Sequence, residues 1–168
     1  MLEPLGFVVD FKGRDGYIRF LHPELIVEFL VPERGRSTTK PFDVPALGVN
    51  AQPLRFLDLL LSDTISVPFQ SINVRLPHPA NFAIHKLLIS GQRHSDKAER
   101  DRDQAIAVVW AWESAGESAR LQTVFSGLPA KWKTPITRAI EKMSQDGIAA
   151  MFMPTSERGG FGSPEVPP

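Results

Sequence analysis

Between residues 76 and 79 the hydrophobic pattern of this 168-residue chain changes period. Upstream, β-branched and aromatic residues come in short runs broken by Gly, Pro and Asp: GFVVDF (6–11), GYIRFL (16–21), ELIVEFLVP (24–32), TISVPF (64–69) and INVRLP (72–77). Downstream, apolar residues recur at helical spacing between capping signals. Strands gathered in one half and helices in the other predict an α+β fold. The expectation is a small mixed β-sheet with one flanking helix, followed by a C-terminal helical layer. Residues 1–76 are then the sheet-containing part, 79–153 the helical part packed on it, and 154–168 a tail.

Local signals fill in this outline. Lys12-Gly13-Arg14-Asp15-Gly16 has the length and glycines of a hairpin loop between the first two runs. In LRFLDLLL (54–61) apolar residues recur at i, i+3 and i+4, and Pro53 suits a first helical position. PERGRSTTKPFDVPALGVNAQ (32–52), with three prolines and mixed charge, reads as a long surface loop. Helices are expected from Pro79 to a Gly91 C-cap, from Ser95 to Ala115, over 117–127, and from a Thr134 cap with Pro135 at the first position to Gly147. PTSERGGFGSPEVPP (154–168) has a disordered composition.

Composition bounds the function classes. Lys and Arg total 19, as do Asp and Glu, so bulk charge does not drive binding to nucleic acid or an anionic membrane. The absence of cysteine excludes disulfides, thiolate metal sites and a cysteine nucleophile. No apolar run reaches the roughly 18 residues a membrane helix needs. The opening MLEPLGFVVDFKG lacks the basic start and apolar core of a secretory signal, so a cytoplasmic setting is expected.

Three polar groups interrupt apolar patterns. In LIVEFLV, Glu28 falls midway along a run that is apolar on both faces, the pattern of a central strand. A carboxylate there needs a cation, a metal or a solvent cleft; the plain alternative is a cross-strand pair with Arg19 or Arg75, or a half-exposed strand. Phe82, Lys86, Ile89 and Arg93 share one side of a helix, which puts two cations about 10 Å apart along it, aimed at one anion or merely snorkelling from the core edge. Asp101 opens the apolar line Lys97, Asp101, Ala105, Val108, Trp112, and calls for a hydrogen bond to a cation on the adjacent helix, Lys86 or Arg93. Such a pair can also serve only to fix helix register.

The four histidines carry less information. His22 and His78 precede prolines, His85 neighbours Lys86, and His94 lies between two helices. Their spacing does not form a histidine metal motif, and no G-x-S-x-G, phosphate-binding glycine loop or G-x-G-x-x-G occurs.

PHPANFAIHKLLISGQR (77–93) followed by KAERDRDQA (97–105) resembles the helical region of nucleotidyltransferase-fold proteins, in particular bacterial families allied to the AbiEii abortive-infection toxins. The corresponding residues are Lys86-Leu87, Arg93, and Arg100-Asp101 with Gln104, and IVEFLVPERGR (26–36) resembles the strand that bears a metal-binding carboxylate, here Glu28. The similarity runs in order over residues 5–112. It implies transfer of a nucleotidyl group from an NTP, with carboxylates holding Mg²⁺ and a lysine on phosphate. By that resemblance Glu28 is the catalytic metal carboxylate, Lys86 the phosphate contact, and Arg93, Arg100 and Asp101 its surround. The Gly-Ser…Asp-x-Asp unit that opens such proteins does not occur ahead of Glu28. The expectation is therefore a partial nucleotidyltransferase fold, truncated at its N-terminus or degenerate, inactive by itself, in a toxin–antitoxin-like setting.

A second reading is a non-catalytic interaction module for an RNA or protein partner, using Arg34, Arg36 and Lys40 of the long loop, or Lys131 and Lys133 beside Trp132. A third is a plain α+β domain whose polar interruptions are structural ion pairs.

Overall fold

The computed structural model describes residues 2–12, 16–35, 40–143, 148 and 151–152. The expected tail 154–168, the Gly147 helix stop and Arg36 lie outside the described residues. The described chain is α+β, as the segregation of patterns predicted, and forms two compact units, residues 1–58 and 59–168. None of its helices is long and apolar enough to cross a membrane.

The first unit holds two three-stranded sheets. β1 (Val8–Lys12), β2 (Tyr17–Leu21) and β3 (Ile26–Glu28) are antiparallel in sequence order. β4 (Leu30–Pro32), β5 (Phe42–Val44) and β6 (Val49–Leu54) make the second, with β6 central, parallel to β4 and antiparallel to β5. Phe20, Val49, Ala51 and Leu57 are buried, and Phe20 meets Phe29 edge to face at 6.1 Å. Asn50 ties β6 to β2: its Oδ1 accepts from the Ile18 N–H at 2.7 Å and its Nδ2 donates to the Gly16 carbonyl at 3.0 Å.

Several expectations are corrected here. The presumed loop 32–52 contains β5 and most of β6. Its prolines do not prevent this, because Pro41 precedes β5 and Pro45 starts a 3-10 turn, while Val49 and Ala51 alternate inward with Asn50 and Gln52 less buried. Pro53 belongs to β6 rather than to a helix start. Phe56 sits in left-handed backbone at φ 60°, so the helix α1 is only Leu57–Leu61. The run LIVEFLV is not one central strand. It breaks at Phe29 into β3 and β4, which belong to different sheets, and both Ile26 and Glu28 are exposed.

The second unit opens with a hairpin, β7 (Thr64–Phe69) and β8 (Ile72–Pro77), turned at Gln70, whose φ is 53°. Ile65, Val67 and Phe69 pair with Leu76, Val74 and Ile72, which gathers six apolar side chains on one face of the ribbon. Helices α2 (Pro79–Ser90), α3 (Ser95–Ser114), α4 (Ser118–Gly127) and α5 (Ala130–Glu141) follow. α2 is the central helix, packed against the other three. Only Pro79, Phe82 and Lys86 of its twelve residues escape full burial. α5 begins four residues before the expected Thr134 cap: the Trp132 and Lys133 N–H groups both donate to the Pro129 carbonyl, and Pro135 lies inside the helix.

Candidate functional site

The stripe of α2 that escapes burial carries Lys86, and the buried stripe of α3 carries an acid. Ala98, Asp101, Ala105 and Val109 form that buried line at i, i+3, i+7 and i+11. Lys97, which the spacing had placed on the same line, is exposed. Asp101 is 3% exposed and has both oxygens occupied. Oδ1 accepts from Lys86 Nζ at 2.8 Å, and Oδ2 accepts from an Arg93 terminal nitrogen at 2.8 Å. The acid on the apolar line therefore meets both cations that its position called for. The Lys86 ammonium also lies 5.4 Å from the centroid of the Phe82 ring, one turn earlier on α2. Arg93 stands in the turn between α2 and α3, where residues 91–94 are all exposed.

Two cations and one carboxylate leave this cluster with an excess positive charge, on side chains of graded exposure: 4% for Asp101, 19% for Lys86 and 37% for Arg93. Such an arrangement has the charge to attract an anion. The carboxylate keeps the cations in place and desolvated enough to matter, and the guanidinium can engage oxygens in a plane. Arg100, on an exposed face of α3, is not a partner of Asp101.

Glu28 belongs to the first unit, at the exposed end of β3. The register aligns Asp10, Arg19 and Glu28 in one row across β1, β2 and β3. Arg19 donates through Nε to Asp10, and that hydrogen bond, opposed by partial burial and aided by the guanidinium charge, holds the Asp10 carboxyl below its ordinary range. The row thus alternates acid, cation and acid, with Arg19 between Asp10 and Glu28. Among the described residues no three His, Asp or Glu side chains converge as a metal set. The donors present thus do not assemble a carboxylate clamp for Mg²⁺ around Glu28.

Other polar groups serve the scaffold. His78 caps α2, its Nδ1 accepting from the Ala80 N–H at 3.2 Å, and its ring meets Trp112 edge to face at 5.2 Å. Asn81 donates to the Leu59 carbonyl at 2.8 Å and to Ser62 Oγ at 3.1 Å. Asp63 pairs with Arg120, a partnership no sequence spacing signals. Of the basic residues considered for a partner surface, Arg34, Lys40 and Lys131 are exposed, whereas Lys133 donates to the Ser126 carbonyl at 2.7 Å and covers the Phe125 ring. Phe82 was legible as a neighbour of Lys86 at i−4, but its role as the ring beneath the ammonium was not.

No curated protein and no solved structure matches this chain. A family model described as Nucleotidyltransferase does, over residues 8–126. The match begins at β1, runs through both sheets of the first unit, and takes in Lys86, Arg93 and Asp101. It covers well over half of the 168 residues, and on that ground the chain belongs to the nucleotidyltransferase family.

Proposed function

We propose that this chain is the phosphate-recognising part of a nucleotidyltransferase, of the AbiEii-allied type, which binds an NTP through the cluster of Lys86, Arg93 and Asp101. The reading is carried by one observation: a nearly buried carboxylate bound on both oxygens by cations that together outnumber it in charge. Family membership supports an NTP as the ligand class, and the two cations gathered on Asp101 support a phosphate contact there.

In nucleotidyl transfer an acceptor oxygen attacks the α-phosphorus and pyrophosphate departs, so cations on the terminal phosphates stabilise both the bound NTP and the leaving group. The cluster of Lys86, Arg93 and Asp101 supplies that net positive charge, and Arg100 adds to the positive field at the surface. Glu28 offers a single exposed carboxylate, and Asp10, two strands away on the far side of Arg19 in the row, is engaged by that arginine. In this proposal the remaining Mg²⁺-binding carboxylates come from another polypeptide segment or a partner. A protein or RNA is the acceptor, in a cytoplasmic, toxin–antitoxin-like setting.

The test is transfer of label from α-³²P-labelled NTP in the presence of Mg²⁺, alongside calorimetric NTP binding. The expected result is binding without transfer, with binding weakened by Asp101→Ala. Efficient transfer by the 168-residue chain, abolished by Glu28→Gln, would overturn the dependence on outside carboxylates. Absence of NTP binding would overturn the proposal as a whole.

A further inference from the structure

The two cations on Asp101 are not equivalent. Lys86 Nζ has Asp101 Oδ1 at 2.8 Å on one side and the Phe82 ring at 5.4 Å on another. Only 19% of the Lys86 side chain reaches solvent. Arg93 commits one terminal nitrogen to Asp101 and keeps 37% of its side chain accessible, in a turn whose neighbours are exposed as well. A guanidinium presents five N–H donors in a planar fork, so one bond to Asp101 leaves donors that match two oxygens of a phosphate. An ammonium has three donors and no such plane.

We infer that Arg93, rather than Lys86, makes the contact to the nucleotide's phosphate oxygens, and that Lys86 is a positioning residue held between Asp101 and the Phe82 ring. Lys86 neutralises one oxygen of Asp101 and fixes that carboxylate, which then presents its other oxygen to Arg93 and sets the plane of the guanidinium. Phe82 keeps the ammonium turned toward the carboxylate and shields it from ligand. This assignment rests on the nucleotide reading above and refines it: the outward-facing group is the planar, bidentate one, as a phosphate-selective site requires.

Chemical footprinting of the full chain separates the two roles. Phenylglyoxal modification of arginine and acetic anhydride modification of lysine are followed by peptide mass spectrometry, with and without ATP and Mg²⁺. Arg93 is expected to react in the free protein and to be slowed about tenfold by ATP at roughly ten times its Kd, when about one site in ten stays open. Lys86 is expected to react slowly in both states. Phe82→Leu is expected to speed Lys86 acetylation several-fold while ATP protection of Arg93 persists. ATP protection of Lys86 equal to or greater than that of Arg93 overturns the assignment and leaves nucleotide binding standing. Unchanged Lys86 acetylation in Phe82→Leu overturns the part given to the ring. Protection of neither residue overturns the nucleotide reading and this assignment with it.

Discussion

Asp101 Oδ1 accepts a 2.8 Å hydrogen bond from Lys86 Nζ, and this bond joins α3 to α2 across the most extensive helix–helix contact of the second unit. A carboxylate this well buried is costly without compensation, and two cations provide it. The same bond that locks α3 onto the central helix also fixes the position of the charged groups. Local stability and the arrangement of the two cations therefore depend on one side chain.

Removing Asp101 tests that coupling. Asp101→Ala leaves Lys86 and Arg93 without their acceptor, but both retain some access to water. The cost is expected to be about 2–3 kcal/mol, under the roughly 3–5 kcal/mol typical when the surviving charge is wholly buried. Lys86→Met leaves Asp101 paired with Arg93 and is expected to cost about 1–2 kcal/mol. Urea denaturation of the two variants checks the order. An Asp101→Ala variant as stable as the parent protein would show that the cluster is not part of the α2–α3 contact energy.

The exposed face of the second unit carries a pH-dependent pair. Arg120 donates a hydrogen bond to Asp63; partial burial opposes it, the Arg120 and His78 charges support it, and the Asp63 carboxyl titrates below its ordinary value. Because the folded pKa is depressed, the pair's stabilisation is fully present above the unfolded carboxylate value, about pH 4, and is lost as pH falls through the folded pKa. Arg19 and Asp10 in the first unit contribute with the same sign. Arg120→Gln is thus expected to flatten the acid limb of the stability–pH curve below about pH 4 and to leave the curve's shape near neutrality unchanged. An identical acid limb in the variant would remove Asp63 from the account.

His78 offers a separate test of what starts α2. Its Nδ1 takes the Ala80 N–H and its ring rests edge-on against Trp112. His78→Ala loses both and is expected to cost about 1–2 kcal/mol, whereas His78→Asn can still cap and should recover the larger part. Thermal melts followed by far-UV circular dichroism report the difference. Equal losses in the two variants would place the effect in the ring contact rather than the cap.

The helical unit was legible because its information is local. Ala83, Leu87 and Ser90 repeat at helical spacing, Gly91 and Gly116 follow helix ends, and Asp101 stands out as an acid on an apolar line. The single central strand was misread because alternation along LIVEFLV carries no mark of the break at Phe29, which arises from two sheets taking different halves of the run. β5 and β6 were missed because three-residue ladders are defined by their partners, and the alternation of Val49, Asn50, Ala51 and Gln52 was outweighed by nearby prolines. Pro135 looked like a helix start and lies within α5, whose first bonds go to the Pro129 carbonyl instead. The Asp63–Arg120 pair spans too many residues for any local pattern to announce it.

The β7–β8 hairpin and α2 give opposite expectations for the same residue type. Ile84 is 0% exposed at the centre of α2, and Ile72 is 61% exposed on the apolar face of the ribbon. Ile84→Ala removes methyl groups from a site that α3, α4 and α5 surround, so the neighbours cannot all relax into the space. A loss of about 2–5 kcal/mol is expected. Ile72→Thr keeps β-branching at an exposed strand position and should change stability by less than about 0.5 kcal/mol. Denaturant midpoints with unchanged slopes check both. A loss at Ile72 comparable to that at Ile84 would mean that the ribbon's apolar face is covered in solution, which would make it part of an interface rather than a free surface.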